Sequence, residues 1–499
     1  MIDAPRHPAL EPRVRRPWLA AFLSFVFPGL GQAYAGASWL AVLFAAPVLV
    51  IVAVIILVLT GVAGNFGNSL LSSRFLLGVL VVNAALLLWR CAAILHGWLA
   101  TRSRLQGSNE RRSTLAMVIV LVLATVAMHA WIGMAVVQLE GTLNQVFGGI
   151  RPNPVPAPTG SDGQEEPASS PDEGWDGQEP FNVLLLGTDA APAREAVLTD
   201  VIMVISVDPV EKTAVMISVP RDTGFVPLPD TSIYADGLFP QKVNELAAQA
   251  TLDPAAWCPD LTDEPASCGI RVIERSMGLY LGIELDHYAL VDMAGFAEMI
   301  DALGGLELCL PGQLVDPEFD GTLDNLHPGG GLILPAGCHR YNGLDGLAYA
   351  RSRKGWIEMP DGTREPQNDF TRTDRQQEVL LALRDEFAEA DTILELPNLL
   401  AAIGRTVSTD FPRDQAGDLA SLLPLITGPD IHRVVLGYPE FVGLPAQPDV
   451  NYLLVPKRQA IRQEMEDLFD PDELLGWYLG STAPGPDVQS ESEAGTGTP

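Results

Sequence analysis

The sequence predicts a layered α/β domain that follows an apolar, all-α N-terminal region. Short aliphatic runs bounded by Gly, Asp and Pro, which are typical of buried strands, occupy residues 181–186, 201–207 and 214–219. Apolar residues at helical spacing follow these runs. They lie at residues 242–250, 270–281, 293–303 and 375–387. Because strands and helices are interspersed, a layered α/β domain is favoured over a sandwich or a helical bundle.

Charge is distributed unevenly along the chain. The first 140 residues contain ten Arg, no Lys and four acidic residues, so they carry a net charge of +6. The whole chain carries −31, which leaves −37 for residues 141–499. Binding to DNA or RNA is driven by cationic protein groups that displace the counterions of the phosphates, and a region with so large a negative charge cannot do this. We therefore expect no nucleic-acid partner. The length and the apolar N-terminal region also exclude a small secreted toxin and a fully soluble cytosolic enzyme.

The N-terminal region contains three stretches long enough to span a bilayer, at residues 40–60, 75–100 and 115–139. Four arginines precede the first stretch and four lie in the loop before the third, which indicates that both segments are cytoplasmic. We therefore predict a multi-pass protein of the cell membrane, with a cytoplasmic N-terminus and a large C-terminal domain outside. Residues 18–34 are apolar but short and contain Pro28, so a re-entrant or interfacial segment is favoured there.

Composition also predicts the domain boundaries. Residues 1–140 form the membrane region, 141–180 a disordered linker rich in Pro, Gly, Ser and acidic residues, 181–475 the large domain, and 480–499 a disordered tail. Four cysteines fall in the large domain, in a compartment that permits disulfides. Cys258 and Cys268 lie in one loop rich in Pro and Asp, so we predict the pairs Cys258–Cys268 and Cys309–Cys338. A zinc site is the weaker alternative, because the spacings differ from those of paired zinc knuckles.

Candidate site residues lie where the predicted strands begin or end. Asp189 ends the first strand, Asp200 opens the second, and Arg221 follows the third. Ligands of open α/β sheets bind beyond strand ends, so these charges are candidates for a binding site. Each residue alone is more typical of a turn or a helix cap. The GxSxG, HExxH and GxxxxGK[ST] signatures are missing from the sequence.

A cluster of arginines supplies the second half of the candidate site. Arg351, Arg353, Arg372 and Arg375 fall within 25 positions, and Gln376 shares a helix face with Arg372. A guanidinium group can donate two hydrogen bonds to the oxygens of one phosphate, and carboxylates bind Mg²⁺. Phosphoryl-transfer sites combine arginines or lysines with carboxylates that hold a metal. The alternative is that these arginines form surface ion pairs with neighbouring carboxylates, such as that of Asp369, and spacing alone slightly favours it.

An ordered series of motifs resembles the LytR-CpsA-Psr family from residue 180 to about 400, and more loosely to about 470. The motifs are NVLLLGTD at 182–189, TD at 199–200, SVPRD at 218–222, KVN at 242–244, DHY at 286–288, DALGG at 301–305, AYARSR at 348–353, DFTR at 369–372 and RQQ at 375–377.

This resemblance implies a three-layer α/β/α extracytoplasmic domain with a mixed central sheet. It also implies an enzyme that transfers a glycopolymer from a polyprenyl-diphosphate carrier to peptidoglycan, with the lipid tail in an apolar tunnel. Asp189 and Asp200 would hold Mg²⁺ or act near it. The diphosphate would be bound by Arg221, Arg351, Arg353, Arg372 and Gln376. The implied catalytic residues are Asp189, Asp200, Arg221, Arg351 and Arg353. The implied partners are the lipid-linked glycan, peptidoglycan and the membrane.

Two departures from the family pattern leave other functions open. Leu198 occupies a position that is commonly Arg, and Arg194 would have to supply that phosphate contact from the preceding loop. An insertion at residues 354–368 separates two motifs and would reshape the acceptor side. A pyrophosphatase acting on the same carrier is one alternative. A polyprenyl-phosphate-binding envelope protein or sensor is another, and the lost arginine of position 198 favours it.

Overall fold

The computed structural model describes most of the chain. The described ranges are 16–59, 72–102, 108–149, 180–189, 198–211, 213–230, 232–319, 330–389, 396–413, 431–444, 452–471 and 473–475. The chain divides into two compact units, Met1–Glu140 and Gly141–Pro499. Most of the predicted linker and all of the predicted C-terminal tail lie outside the described residues, as does Arg194.

The N-terminal unit is helical where it is described. Its helices are α1 (Pro17–Val26), α2 (Leu30–Ala35), α3 (Ser38–Leu59), α4 (Ser73–Leu99) and the greater part of α5 (Ser108–Val146). Two stretches of the described residues, Ser73–Leu99 and Asn109–Val146, are long and apolar enough to cross a membrane. They correspond to the second and third predicted spans, and α3 covers the first.

The short apolar segment at residues 18–34 is divided between α1 and α2. The break falls at Pro28 and at Gly29, whose φ of 107° strongly favours glycine. The buried Gln32 of α2 donates from Nε2 to the carbonyl oxygen of Ala93 in α4, at 2.8 Å. α2 is therefore tied to α4 by a buried polar contact.

The C-terminal unit contains the strands and the remaining helices. The strands are β1 (Phe181–Asp189), β2 (Leu198–Asp208), β3 (Thr213–Ser218), β4 (Val226–Pro227), β5 (Leu238–Phe239), β6 (His287–Asp292), β7 (Leu306–Leu310), β8 (Gln313–Asp316), β9 (Leu332–Leu334), β10 (Gly337–Tyr341), β11 (Trp356–Glu358), β12 (Arg364–Pro366), β13 (Val407–Thr409), β14 (Ile431–Val435), β15 (Val442–Gly443) and β16 (Val455–Pro456). The helices are α6 (Val243–Leu252), α7 (Pro254–Trp257), α8 (Pro265–Leu281), α9 (Met293–Ala302), α10 (Gly343–Arg351), α11 (Asp369–Glu389), α12 (Leu396–Thr406) and α13 (Arg458–Leu468).

Six of the described strands form the central sheet, in the order β13-β6-β1-β2-β3-β14. The pairs β1–β2, β2–β3 and β13–β6 are antiparallel, whereas β1–β6 and β3–β14 are parallel. The sheet is therefore mixed. The three strands predicted from aliphatic runs are β1, β2 and β3, and they are neighbours in the sheet.

Helices cover both faces of this sheet. On one face, Leu184, Ile202 and Ile217 belong to the same buried cluster as Ile273 and Met277 of α8. On the other face, Val291 of β6 packs against a second cluster supplied largely by α9, α10 and α11. The domain therefore has three layers, α/β/α, as predicted.

Two predicted features of the large domain are confirmed and one boundary differs. Sulfur atoms lie at bonding distance in both predicted cysteine pairs, 2.08 Å for Cys258–Cys268 and 2.02 Å for Cys309–Cys338. Each of the four predicted helical stretches overlaps a helix, namely α6, α8, α9 or α11. By contrast, α5 continues to Val146, because residues 141–146 contain no helix breaker after Gly141. The first residues of the predicted disordered linker are thus helical.

Candidate active site

Asp200 and Arg221 are brought together by the antiparallel pairing of β2 with β3. The amide of Val219 donates to the carbonyl oxygen of Ile202 at 2.9 Å, which extends the pairing one residue past β3. The start of β2 therefore lies beside the residues that follow β3. Arg221 Nη1 donates to Asp200 Oδ1 at 2.7 Å, and both side chains are largely buried.

The segment that carries Arg353 is fixed by a buried carboxylate. Asp316, 1% exposed, accepts at Oδ2 from Ser352 Oγ at 2.7 Å and from the amides of Arg353 and Lys354 at 3.1 Å each. Arg375 donates to the carbonyl oxygen of Ser352 on the other side. The segment after α10 is thus held at both sides, which sets the position of the Arg353 side chain.

Three arginines surround one carboxylate oxygen at the start of α11. Asp369 Oδ1 lies 2.9 Å from Arg372 Nη2, 3.8 Å from Arg221 Nε and 3.8 Å from Arg353 Nη1. The arginines come from three separate segments of the chain. A surface ion pair was the alternative interpretation of the sequence, but the Arg372 side chain is only 6% exposed. We call Asp369 and these three arginines the arginine cluster.

Burial and charge act differently on the arginines of this cluster. Burial lowers the pKa of Arg372, and the positive charge of Arg221 adds to this effect, although Asp369 opposes it. Burial also acts to lower the pKa of Arg221, but the carboxylates of Asp200 and Asp369 outweigh it and leave the pKa raised. Both groups stay charged, because an arginine in a protein does not lose its proton.

The arginine cluster opens into a cavity of about 340 Å³. Leu185 of β1, Val291 of β6 and Phe296 of α9 line its apolar part, together with Leu347 and Val379. Its charged and amide-bearing lining residues are Asp200, Arg221, Asp316, Glu318, Arg351, Arg353, Lys354, Arg372 and Gln376. A lining of this kind can hold a molecule that combines an anionic group with an apolar part.

Six of the seven predicted site residues line this one cavity: Asp200, Arg221, Arg351, Arg353, Arg372 and Gln376. Gln376 donates to the carbonyl oxygen of Ala350 at 3.4 Å, and so links α11 to α10. Asp189 ends β1, but its side chain lies outside the described residues. Leu198 also lines the cavity, so the position that departs from the family pattern presents an apolar side chain to the ligand space.

The structure adds three residues to the site that the sequence analysis did not assign to it. Asp369 belongs to the DFTR motif, and its position at the centre of the arginines follows only from the fold. Asp316 has no local signal, because the residues it binds are 36–38 positions away. Asp222 is buried and paired with Lys242, with Nζ 2.6 Å from Oδ1, one residue beyond Arg221.

A divalent metal was the predicted cofactor. Among the described residues no group of three or more His, Cys, Asp or Glu side chains is arranged to hold a metal. Asp200 nevertheless lines the cavity, and Arg221 bonds only one of its two oxygens. Because Mg²⁺ keeps several waters and binds substrate phosphates, one or two carboxylates suffice to hold it. The carboxylate of Asp200 is therefore compatible with a divalent metal that takes most of its other ligands from water or phosphate.

A model of the LytR_cpsA_psr family matches residues 157–440 of the chain. The polyisoprenyl-teichoic acid–peptidoglycan teichoic acid transferase TagU of Halalkalibacterium halodurans is 29% identical over 248 residues, 49% of this chain and 65% of TagU. The regulatory protein MsrR of Staphylococcus aureus is 31% identical over 234 residues, 46% of this chain and 57% of MsrR. The chain thus matches less than two thirds of the length of either relative.

Solved structures of two further proteins are similar to part of this chain. The crystal structure of B. subtilis TagV is 22% identical and has a TM-score of 0.42, over 58% of this chain and 96% of that one. A structure of TagT bound to LIIa-WTA is 21% identical with a TM-score of 0.41, over 58% of this chain and 90% of that one.

Proposed function

The chain belongs to the LytR-CpsA-Psr family, and on this basis we propose that it transfers a glycopolymer from a polyprenyl-diphosphate carrier to peptidoglycan. One observation carries the proposal. Arginines from separate segments converge in the lining of one largely apolar cavity, which can accept the phosphates and the tail of a lipid diphosphate. The name of the relative TagU, a transferase that joins teichoic acid to peptidoglycan, supports the same reaction.

The proposed reaction is a phosphoryl transfer. A hydroxyl oxygen of peptidoglycan attacks the phosphorus that carries the glycan, and the bond from that phosphorus to the bridging oxygen breaks. The bridging oxygen keeps the electron pair and leaves as part of polyprenyl phosphate, while the hydroxyl proton passes to a carboxylate or to water. The product is a phosphodiester between glycan and peptidoglycan. The arginines bind the diphosphate and stabilise the negative charge that develops on its oxygens.

We further propose that Asp200, together with Asp189, holds a Mg²⁺ ion against the diphosphate. The ion would offset negative charge on the diphosphate and so make it a better leaving group. Asp200 is oriented for this role by Arg221, which binds its other oxygen at 2.7 Å.

The N-terminal unit fits a membrane anchor, because the donor substrate is itself a membrane lipid. We propose that α4 and α5 cross the bilayer, together with α3 as a third span, and that the large domain is extracytoplasmic. The eight arginines before the first and third spans support a cytoplasmic N-terminus.

The direct test replaces Arg353 or Arg372 by Ala in the full chain, reconstituted in lipid vesicles with a polyprenyl-diphosphate saccharide, Mg²⁺ and peptidoglycan. Removal of one charged donor from such a site costs about 100-fold or more in rate. We expect losses of this size in both polyprenyl phosphate release and polymer attachment, with unchanged circular dichroism. Arg405→Ala is the matched control, because Arg405 pairs with Glu298 on the exposed surface. Normal rates in both test variants would refute the proposal.

A second candidate is a protein that holds polyprenyl phosphates without turnover, and the apolar Leu198 in the ligand cavity favours it. The two functions respond differently to metal. Removal of Mg²⁺ should stop a transferase, whereas a lipid holder should bind tail-bearing analogues equally well with or without it. Release of polyprenyl phosphate without polymer bound to the wall would instead indicate a pyrophosphatase.

A further inference from the structure

Two exposed tyrosines lie on the border of the arginine cluster and outside its cavity. Tyr438 is 49% exposed and Tyr452 is 46% exposed, and neither lines the cavity. We call this pair the tyrosine rim. Exposed apolar surface that is bordered by polar residues commonly marks an interaction site.

Backbone contacts fix both tyrosines near the end of β3. Leu454, two residues after Tyr452, donates its amide to the carbonyl oxygen of Asp222 at 2.9 Å. Leu436, two residues before Tyr438, donates its amide to the carbonyl oxygen of Ser218 at 2.9 Å. Each tyrosine therefore lies two residues from a backbone hydrogen bond to the segment 218–222, which contains Arg221.

The start of α11 borders the rim as well. Phe370, the residue after Asp369, packs so closely on Gly437 that a Cβ there would lie 3.0 Å from Phe370 Cδ1. Burial, together with the negative charges of Asp222 and Asp369, raises the pKa of Tyr452, which agrees with its place beside these carboxylates. The rim is thus next to the arginine cluster on a flank that the cavity does not occupy.

The geometry of phosphoryl transfer assigns an occupant to this flank. In such a transfer the attacking oxygen and the leaving oxygen lie roughly in line with the phosphorus between them. Under the proposed function the leaving group is polyprenyl phosphate, whose tail occupies the cavity. The acceptor hydroxyl must therefore approach from outside the cavity, where the tyrosine rim lies.

We propose that Tyr438 and Tyr452 bind the acceptor, by packing their rings against the sugar rings of a peptidoglycan glycan strand. This inference rests on the proposed function for the direction of attack. A tyrosine ring offers an apolar face and a polar hydroxyl, and a sugar ring likewise combines an apolar C–H face with polar hydroxyls. The family match ends at residue 440, so Tyr452 lies beyond the region that the family model describes.

The test measures acceptor and donor dependence separately in the reconstituted full chain. With a soluble peptidoglycan fragment as acceptor, Tyr438→Ala and Tyr452→Ala should each raise the acceptor KM about tenfold, the loss expected for one aromatic contact. The donor KM and the rate at saturating acceptor should not change. Tyr→Trp at either position should restore most of the loss, because it keeps an aromatic face. Ile333→Ala, which removes another exposed apolar side chain, should have no effect.

A turnover-independent measurement separates this inference from the proposed function. Saturation-transfer NMR of the same fragment with the full chain in nanodiscs, without donor, should show binding that the double tyrosine variant loses. If the wild type transfers polymer but the variants bind the fragment normally, the tyrosine rim is not an acceptor site and the proposed function stands. A change confined to the donor KM would also refute the inference, since it would assign the rim to the donor glycan. If the wild type binds the fragment through these tyrosines without transfer, the proposed function fails and the glycan site remains.

Discussion

The two faces of the central sheet differ in how completely they are filled. On the face covered by α6 and α8, Leu184, Ile202 and Ile217 are almost completely buried in a continuous cluster with Ile273. On the other face, Leu185 of β1 borders a cavity of about 340 Å³. The same strands thus contribute to a filled core on one side and to a hollow on the other.

This difference separates stability from ligand binding within one sheet. Protein interiors are normally packed as densely as organic crystals, and an empty apolar volume lacks the dispersion contacts of a filled one. The hollow face therefore contributes less to stability than the filled face does. Because the hollow ends at the arginine cluster, an amphipathic anion can supply the missing contacts when it binds. We expect substitutions on the filled face to change the free energy of unfolding, and substitutions on the hollow face to change activity.

Truncation on the filled face should have the largest effect on stability. Ile273 of α8 is 0% exposed, so Ile273→Ala leaves a cavity that its neighbours fill only in part. We expect the free energy of unfolding to fall by about 2–5 kcal/mol, measured by denaturant unfolding. Transfer activity per folded molecule should stay at the wild-type level. A loss of activity without a loss of stability would show that the two faces are not separable.

Filling the hollow face should have the opposite outcome. Ala350 lines the cavity, and Ala350→Phe would occupy space proposed for the lipid tail. A misplacement of about 1 Å can cost roughly 100-fold in rate, and we expect a loss of this size in transfer with the melting temperature nearly unchanged. Leu252→Phe, at an exposed position of α6, is the control. Full activity of the Ala350 variant would show that the cavity does not hold the donor.

Weakening the hydrogen bonds that hold the segment of Arg353 beside the cavity should reduce the transfer rate by a smaller factor. Asp316→Asn replaces a carboxylate oxygen that accepts three hydrogen bonds from the segment carrying Arg353. We expect transfer to fall about tenfold, because hydrogen bonds to a charged group contribute about 1.5–3 kcal/mol and Asn keeps part of this. If Asp316 acts by positioning Arg353, adding Asp316→Asn to an Arg353→Ala variant should lower the transfer rate only slightly further. Additive losses in this double-mutant cycle would contradict a positioning role.

The sequence predicted the sheet better than it predicted the centre of the site. The strands β1 to β3 could be located because aliphatic runs bounded by Gly, Asp and Pro are local signals. Strand order could not, because β6 and β14 join the sheet from distant parts of the chain. The disulfides could be predicted because Cys258 and Cys268 lie 10 residues apart in one loop, which left Cys309 and Cys338 as the second pair.

For the site, family motifs named the arginines but not their arrangement. The central position of Asp369 depends on contacts with Arg221 and Arg353, which reach it from other elements of the fold. The cavity had no signal in composition or spacing, because an empty volume is a property of packing. The family resemblance alone implied a lipid tunnel. The linker was predicted to begin at residue 141, but α5 continues to Val146, because composition does not determine where a helix ends.

The smallest predicted effect concerns a titratable group on the filled face. Burial, reinforced by the carboxylates of Asp410 and Asp286, raises the pKa of Glu274 on α8 from 4.5 to about 8. Between these two pH values the folded domain holds a proton that the unfolded chain has released. The free energy of unfolding should therefore decrease as pH rises from about 5 to 8.

Glu274→Gln should remove most of this dependence, because Gln is neutral at every pH. We expect the variant to be more stable than the wild type at pH 8 by about 1–2 kcal/mol, once partial hydration is allowed for, and equally stable near pH 4.5. For a domain of this size the gain corresponds to a melting temperature higher by roughly 2–6 °C. Some slope should remain, since burial also raises the pKa of Asp286, to about 6. Parallel pH profiles for variant and wild type would show that Glu274 is ionised in the folded domain.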